Sequence, residues 1–266
     1  MGRVIFLGST GKLGRALQRV WSASPPEGLE PLWLGRKALE TQSRLPRAQA
    51  VVALWGVTHG PAQALAQNVP LAEAARVLAK ASGAERVLHL SSAAVYGACA
   101  KADPSEAAPL APLGAYGQAK ADMEARIALF GPRPRNCVLR LGNVAGCDSL
   151  FRTLAEGRVA EIDQFESGKG PQRSYISVPQ FGRVLEALLA LPLAELPDVL
   201  NVAQPGVAEM GAIAAAAGAP VCWRPAPAGA LARVALDVRA LQRIVGLPEV
   251  TPEALVESWR CWGGWA

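Results

Sequence analysis

An α/β fold, a doubly wound parallel sheet followed by a small C-terminal mixed α/β lobe, is what this sequence predicts. Three observations carry it. The apolar run Val4–Leu7 ends in a glycine-rich turn that opens a helix. Short β-rich runs then alternate with longer helical stretches as far as Leu141. Past that point the pieces become shorter and mixed. Such alternation places parallel strands in one sheet, with right-handed crossovers laying helices on both faces.

Taken in order, Val4–Leu7 is apolar without alternation, the pattern of a strand buried on both sides. Lys12–Trp21 places Leu13, Ala16, Leu17 and Val20 at helical spacing. Pro31–Leu34 and Ala50–Trp55 read as the second and third strands. Pro61–Ser82 reads as a long Ala/Leu-rich helix, bent at Pro70. Glu85–Ser91 is the fourth strand, Ala115–Phe130 the next helix and Asn136–Leu141 the fifth strand. Later, Arg173–Val178 alternates as a strand, Phe181–Ala190 is helical and Leu200–Ala203 is a short strand. Asp237 is placed to cap a helix Val238–Val245 that Gly246 ends. Thr251-Pro252-Glu253 opens a last helix as cap, first-turn proline and acidic first turn.

The 266 residues are 51% apolar, ample for a large core, and their 27 Lys+Arg against 22 Asp+Glu give a formal charge of +5. The basic residues are scattered, so no stripe for nucleic acid emerges. Five cysteines are odd in number and show no C-x-x-C pair, which points away from a disulfide framework and a zinc site. No metal is expected. The longest apolar stretches, Val184–Leu200 and Met210–Val221, are broken by Glu and Pro or are short and Ala/Gly-rich, unlike membrane spans. Arg3 is followed at once by a strand and a glycine loop, unlike a signal peptide. A soluble, cytoplasmic protein without membrane or nucleic-acid partners is the expectation.

Three groups of residues carry chemistry. The first is Gly8-Ser9-Thr10-Gly11-Lys12-Leu13-Gly14. Between strand and helix, Gly8 allows a tight turn, Gly11 lets the backbone approach a pyrophosphate and Gly14 lets the helix pack close. The free N–H groups of Thr10, Gly11, Lys12 and Leu13, with the helix dipole, then favour an anion. After the second strand, Gly35-Arg36-Lys37 offers arginine where a ribose 2′-hydroxyl would call for an acid; Glu40 is the nearest. Arg36 therefore favours NADP over NAD. The second group is Tyr116-Gly117-Gln118-Ala119-Lys120, whose phenol and ammonium share one helix face. A nearby ammonium favours phenolate, each unit of lowering corresponding to about 1.4 kcal/mol. The third is Ser91-Ser92 at the carboxyl end of the fourth strand, where doubly wound sheets bind ligands.

With these motifs in this order, the chain resembles an extended, shortened short-chain dehydrogenase/reductase of the NAD(P)-dependent epimerase/dehydratase family, with its Rossmann fold. Also matching are Asn68, Glu106, Pro112, Leu139-Arg140-Leu141-Gly142-Asn143-Val144 with Gly146, and Arg173-Ser174-Tyr175-Ile176-Ser177-Val178. The terminal Leu236-Asp237 through Gly246-Leu247-Pro248 matches as well. The resemblance implies catalytic Ser92, Tyr116 and Lys120, and cofactor contacts from the glycine motif, Arg36, Leu54, Trp55, Gly56, Asn68, Ser91, Tyr116 and Lys120. Ser92, Asn143 and Arg173 would contact substrate, where a guanidinium suits phosphate oxygens. It further implies a dinucleotide-binding domain over residues 1–146 and a substrate lobe over 147–266, interleaved with the sheet. A homodimer through Pro61–Ser82 and Ala115–Phe130 is part of the same expectation.

The sequence departs from the family in places. Ser174 replaces the acid after the arginine, Val178-Pro179-Gln180 replaces V-D-D, and only a short stretch links Asn143 to the helix near Phe151–Gly157. Ala93 and Ala94 stand where 4,6-dehydratases carry acids, so dehydration is disfavoured. The expected activity is hydride transfer at a carbinol or ketone carbon with tyrosine as acid/base, on a nucleotide sugar. The alternatives are an NADPH-dependent reductase of a smaller carbonyl compound and a non-catalytic NADP-binding regulatory or scaffold protein. His89 reads as a core histidine, His59 and Cys99 as lesser candidates near the cleft, and Trp259, Trp262 and Trp265 as packing residues.

Overall fold

A computed structural model of the chain describes residues 2–36, 45–97, 99 and 103–263. The first half runs β1 (Gly2–Leu7), α1 (Lys12–Ala23), β2 (Leu29–Leu34), β3 (Ala50–Ala53), α2 (Ala62–Leu65), α3 (Asn68–Ser82), β4 (Arg86–Ser92), α4 (Ala115–Ala128) and β5 (Arg135–Leu141). The second half runs β6 (Asn143–Val144), α5 (Ser149–Ala155), β7 (Ala160–Gln164), β8 (Gln172–Arg173), β9 (Tyr175–Ile176), α6 (Val178–Ala190) and β10 (Val199–Val202). It ends with β11 (Ala208–Glu209), α7 (Met210–Ala216), β12 (Val221–Pro225), β13 (Arg233–Val234), α8 (Arg239–Ile244) and α9 (Pro252–Trp262).

The six-stranded central sheet has the order β10-β5-β4-β3-β1-β2, every pairing parallel. Side chains alternate across it. Val4, Phe6, Val52, Leu88, Leu90 and Leu139 face α1 and α6, meeting Leu17, Trp21, Phe181 and Leu185. Ile5, Leu7, Val51, Val87 and Val138 face α3 and α4, meeting Ala75, Ala79, Met123 and Ile127. Because both faces are covered, the strands read as continuous apolar runs. A second core joins α5, β7, α7 and α9 through Phe151, Ile162, Ile213 and Leu255. The C-terminal half thus supplies its own core and also contributes α6 and β10 to the central layers.

Three expectations are corrected. Pro70 does not bend a helix: the break falls earlier, between α2 and α3, and Pro70 sits in the first turn of α3, where the missing N–H has no intrahelical partner to lose. The stretch Arg173–Val178 is not one strand. At Ser174 the chain changes sheets, its N–H bonding Val234 O and its carbonyl accepting the Asn143 amide, while Val178 opens α6. Asp237 accepts the Arg239 amide at 3.0 Å, but the helix begins one residue later than expected, at Arg239. The Thr251 cap holds, its hydroxyl accepting Ala254 N at 3.2 Å.

Candidate active site

The strand order reverses between β1 and β3, with β2 on the far side of β1, so a crevice opens above their carboxyl ends. The glycine turn fills its floor. Gly8 has φ +97°, and a Cβ there would lie 2.7 Å from Trp55 N at the end of β3. A Cβ on Gly14 would lie 2.3 Å from Gly8 O, so α1 rests directly on the turn. Arg15 Nη1 donates to Thr10 O (2.9 Å) and Gln18 Nε2 to Ser9 O (2.8 Å), which fixes the loop carbonyls from the helix side. α1 starts at Lys12 with neither a side-chain cap nor an acid in its first turn, so the first turn itself does nothing to offset the positive end of its dipole. Burial and Arg152 lower the Lys12 ammonium, while Cys147 and Asp148 raise it, so this end of α1 meets the C-terminal half.

Exposed Arg36 follows Gly35, where a Cβ would lie 3.3 Å from Thr10 Cγ2, so the end of β2 abuts the glycine turn. Lys37 and Glu40 lie outside the described residues, as does Trp265. Leu54, Trp55 and Gly56 form the turn after β3. Asn68, fully buried, braces it: Nδ2 donates to Val57 O (2.9 Å) and Leu65 O (2.8 Å), and Oδ1 accepts Val57 N (3.2 Å). Trp55 Nε1 is buried without a hydrogen-bond partner among the described residues. A cradle too tight for side chains, beneath an uncapped helix start, fits a dinucleotide pyrophosphate.

Beside this crevice lies a cavity of about 350 Å³ lined by Ser92, Ala93, Ala94, Gly97, Leu113, Tyr116, Asn143, Arg173, Leu231 and Val234. Ser92 and Tyr116 both line its wall, with the Ser92 hydroxyl near enough to pull the phenol down. Ser92 Oγ also accepts Ala94 N at 3.2 Å, which fixes the hydroxyl at the strand end. α4 approaches this turn closely because Gly117 has no side chain; a Cβ there would lie 2.5 Å from Ala94 O. Lys120, one turn on, is buried and donates to Leu90 O at 2.8 Å. Burial pushes its ammonium down to about 8, Glu124 opposing the fall.

The expected lowering of the phenol by Lys120 is not found. Burial raises Tyr116 above the usual tyrosine range, and only the Ser92 hydrogen bond pulls it back. The physical reason is burial of the phenol, and Lys120, whose ammonium is directed to the Leu90 carbonyl, is not among the groups that shift it. Ser91 turns inward, its hydroxyl donating to Glu124 Oε1 at 2.5 Å. Asn143 Nδ2 donates to Asp148 Oδ2 (2.9 Å), which also accepts the Tyr175 hydroxyl (2.7 Å). Arg173 donates to Gln172 O at 2.8 Å; burial lowers its guanidinium, and no carboxylate pairs with it among the described residues. His89 is a core residue bonded to Asn136, and His59 is exposed. Trp259 packs edge-to-face on Phe151, ring centroids 5.5 Å apart.

Sequence reasoning missed Glu124, Asp148, Gln18 and Gly117. Glu124 had a readable signal, since it extends the Tyr116, Lys120 row by one more turn. Gly117 had one too, because glycine is disfavoured inside a helix unless close approach requires it.

A parallel sheet with its glycine turn at the switch point and a Ser/Tyr/Lys group beside it defines a dinucleotide-binding enzyme class. The sequence profile of the NAD dependent epimerase/dehydratase family matches residues 4–201, and the chain belongs to that family. Solved structures agree on the fold. An NAD-dependent NDP-hexosamine 5,6-dehydratase of tunicamycin biosynthesis superposes with TM-score 0.75 at 20% identity, covering 98% of each chain. The UDP-N-acetylglucosamine 4-epimerase of Methanobrevibacter ruminantium M1 gives 0.76 at 16% identity, covering 98% of this chain and 97% of its own. The UDP-glucuronic acid 4-epimerase of Bacillus cereus, solved with UDP-glucuronic acid and NAD, gives 0.75 at 16%, covering 96% and 97%. No curated protein matches the sequence significantly. Among the described residues no helix is long and apolar enough to cross a membrane.

Proposed function

We propose that the chain is a pyridine-nucleotide-dependent oxidoreductase or epimerase acting on a carbinol or ketone carbon, with Tyr116 as acid/base. The observation that carries this reading is the Ser92–Tyr116 hydroxyl pair on the cavity wall, with Lys120 one helical turn on. A nicotinamide bound above the glycine turn would supply hydride exchange with the substrate carbon. Tyr116, held as neutral phenol by burial, has a proton to give an oxygen that gains charge. Ser92, fixed by the Ala94 amide, orients that oxygen. In the reverse direction the phenol must first lose its proton, which the Ser92 bond assists.

Gly8, Thr10, Gly11, Lys12, Leu13 and Gly14 would hold the pyrophosphate, with Leu54, Trp55 and Gly56 alongside. Asn68 and Ser91 act behind that wall. Arg36 favours NADP, whereas structural relatives carry NAD. Arg173 suits an anionic substrate group, and relatives that bind nucleotide sugars make that substrate class the first choice. Asn143 sits beside it. The apolar walls Ala93, Ala94, Leu113, Leu231 and Val234 favour a second reading, reduction of a smaller carbonyl compound. A homodimer through α3 and α4, where Val77 and Leu129 are exposed, belongs to the same proposal.

The test compares wild type with Tyr116→Phe. NADH and NADPH binding is followed by fluorescence, and turnover on a panel of UDP-sugars and small ketones. Binding should persist in the variant, while turnover falls by about 10²-fold or more. An epimerase leaves NAD(P)H unchanged; a reductase consumes it. Wild type that takes up no pyridine nucleotide, or a phenylalanine variant of undiminished turnover, overturns the reading. Nucleotide binding without any turnover would favour the non-catalytic alternative.

A further inference from the structure

Three consecutive residues at the end of β4 each meet one residue of α4. Leu90 O accepts Lys120 Nζ at 2.8 Å, Ser91 Oγ donates to Glu124 Oε1 at 2.5 Å, and Ser92 lies beside the Tyr116 phenol on the cavity wall. Tyr116, Lys120 and Glu124 succeed one another at four-residue steps, so they form one row along the helix. Glu124 is gripped from its other side by Arg140, which stands opposite Ser91 in the β4–β5 register. Arg140 Nε reaches both carboxylate oxygens (3.2 and 3.1 Å) and Nη2 reaches Oε2 at 2.7 Å. Both side chains of the pair are 7% exposed. A buried pair of this kind is poorly explained by stability, because well-packed apolar replacements are often neutral or better.

We propose that Glu124 is a positioning residue of the Ser92–Tyr116–Lys120 site: held by Ser91 and Arg140, its carboxylate sets the register of α4 against the end of β4 and supplies the counter-charge for the Lys120 ammonium. The proposal rests on the reading of that site as catalytic.

The groups facing Lys120 support it. Tyr116 and Glu124 come from its own helix, and His89 and the Leu90 carbonyl from β4. Gly56 and Asn68 come from beside β3; a Cβ on Gly56 would lie 3.1 Å from Lys120 Nζ and from Asn68 Oδ1. His89 stays neutral down to about 4, and Tyr116 is neutral. Arg140 is compensated by Glu124 itself. Glu124 is the carboxylate that opposes the burial of Lys120. Without it the amine loses its proton at lower pH, and the row below the phenol becomes uncharged.

The test follows Lys120 in the full-length chain by NMR of ¹³Cε-labelled lysine, with the signal assigned by its loss in Lys120→Met. Glu124→Gln alone leaves Arg140 buried and unpaired, so it is combined with Arg140→Met to preserve folding. The Lys120 midpoint, about 8 in wild type, should lie about one unit or more lower in the double variant than in Arg140→Met alone, which has lost the same guanidinium but keeps the carboxylate. In Glu124→Asp, which keeps the charge, it should stay within about half a unit of wild type. Where turnover has been established, the pH limb of kcat should move with the midpoint. A double variant that titrates with Arg140→Met overturns the proposal. So does an aspartate variant that falls as far as the double variant, since the charge would then not be the cause. The midpoint comparison needs no nucleotide or substrate, so a wild type that binds neither defeats the catalytic reading while leaving this result readable.

Discussion

Acid should destabilise this protein through one histidine. His89 lies on the central strand β4, 1% exposed, and its Nε2 sits 3.0 Å from Asn136 Oδ1. Asn136 Nδ2 donates to Pro134 O at 2.9 Å, which fixes the amide so that Oδ1 must accept. The histidine proton therefore belongs on Nε2, and Nδ1 is bare. Protonating Nδ1 puts a charge beside Trp55, Leu90 and Met123, with Lys120 adding repulsion. Burial first, then Lys120, holds the ring down to about 4 from an ordinary 6.5, against the Asn136 bond that raises it. The unfolded chain binds the proton more readily than the folded one below 6.5, so stability is complete above that pH and is lost as pH falls toward 4. The loss attributable to this ring is about 2 kcal/mol at pH 5 and about 3 kcal/mol at pH 4. Urea unfolding of wild type and His89→Gln across pH 7.5 to 4 measures it, because the surface carboxylates titrate alike in both and cancel in the difference. Glutamine retains an N–H for Asn136. If the two proteins lose stability in parallel from pH 7 to 5, the buried neutral histidine is not the acid-sensitive element.

Other outcomes follow from the same structure. Glu124→Leu should lower urea-unfolding stability by about 3–5 kcal/mol by stranding Arg140, and Arg140→Met in addition should recover most of it; a single variant as stable as wild type would refute the buried pair. Gly14→Ala brings a methyl to 2.3 Å from Gly8 O and must displace the turn, so NADH and NADPH affinity should fall at least tenfold by fluorescence titration, about 1.4 kcal/mol or more. Arg36→Asp should shift preference from NADPH toward NADH in the same titration; an unchanged ratio would remove Arg36 from cofactor choice. Lys120, pushed to about 8 by burial, binds its proton less readily folded than unfolded, so Lys120→Met should remove a rise in stability between pH 8 and 10.

Much of the fold was legible because its signals are local. Val4–Leu7, the glycine turn and the alternation to Leu141 need only nearest neighbours to read. Pro70 was misread because the same residue breaks a helix interior but suits its first turn, and only the true helix start, at Asn68, tells the two apart. The division of Arg173–Val178 was hidden for a different reason. The Ser174 N–H and carbonyl serve Val234 and Asn143, partners 60 and 31 residues away in sequence, which no periodicity reports. The short parallel pair β7–β12 is likewise set by a partner distant in the chain. In the site, Tyr116 and Lys120 are legible from their spacing on one helix, whereas Ser92 is singled out from Ser91 only by the family resemblance, since two adjacent serines at a strand end carry no spacing signal.

In the folded molecule strand geometry forces the two serines apart. Successive residues of β4 point to opposite faces of a sheet that is covered on both sides. One hydroxyl must therefore reach the cavity and the other the packed interior. Ser92 meets Tyr116 and the Ala94 amide, while Ser91 meets Glu124. A one-residue slip of β4 would exchange them, putting Ser91 in the cavity and leaving Glu124 and Arg140 without their third partner. The buried ion pair penalises that slip, since a buried carboxylate that loses a donor is costly. The polar interior behind the cavity therefore holds the register that puts Ser92, and not Ser91, at its wall.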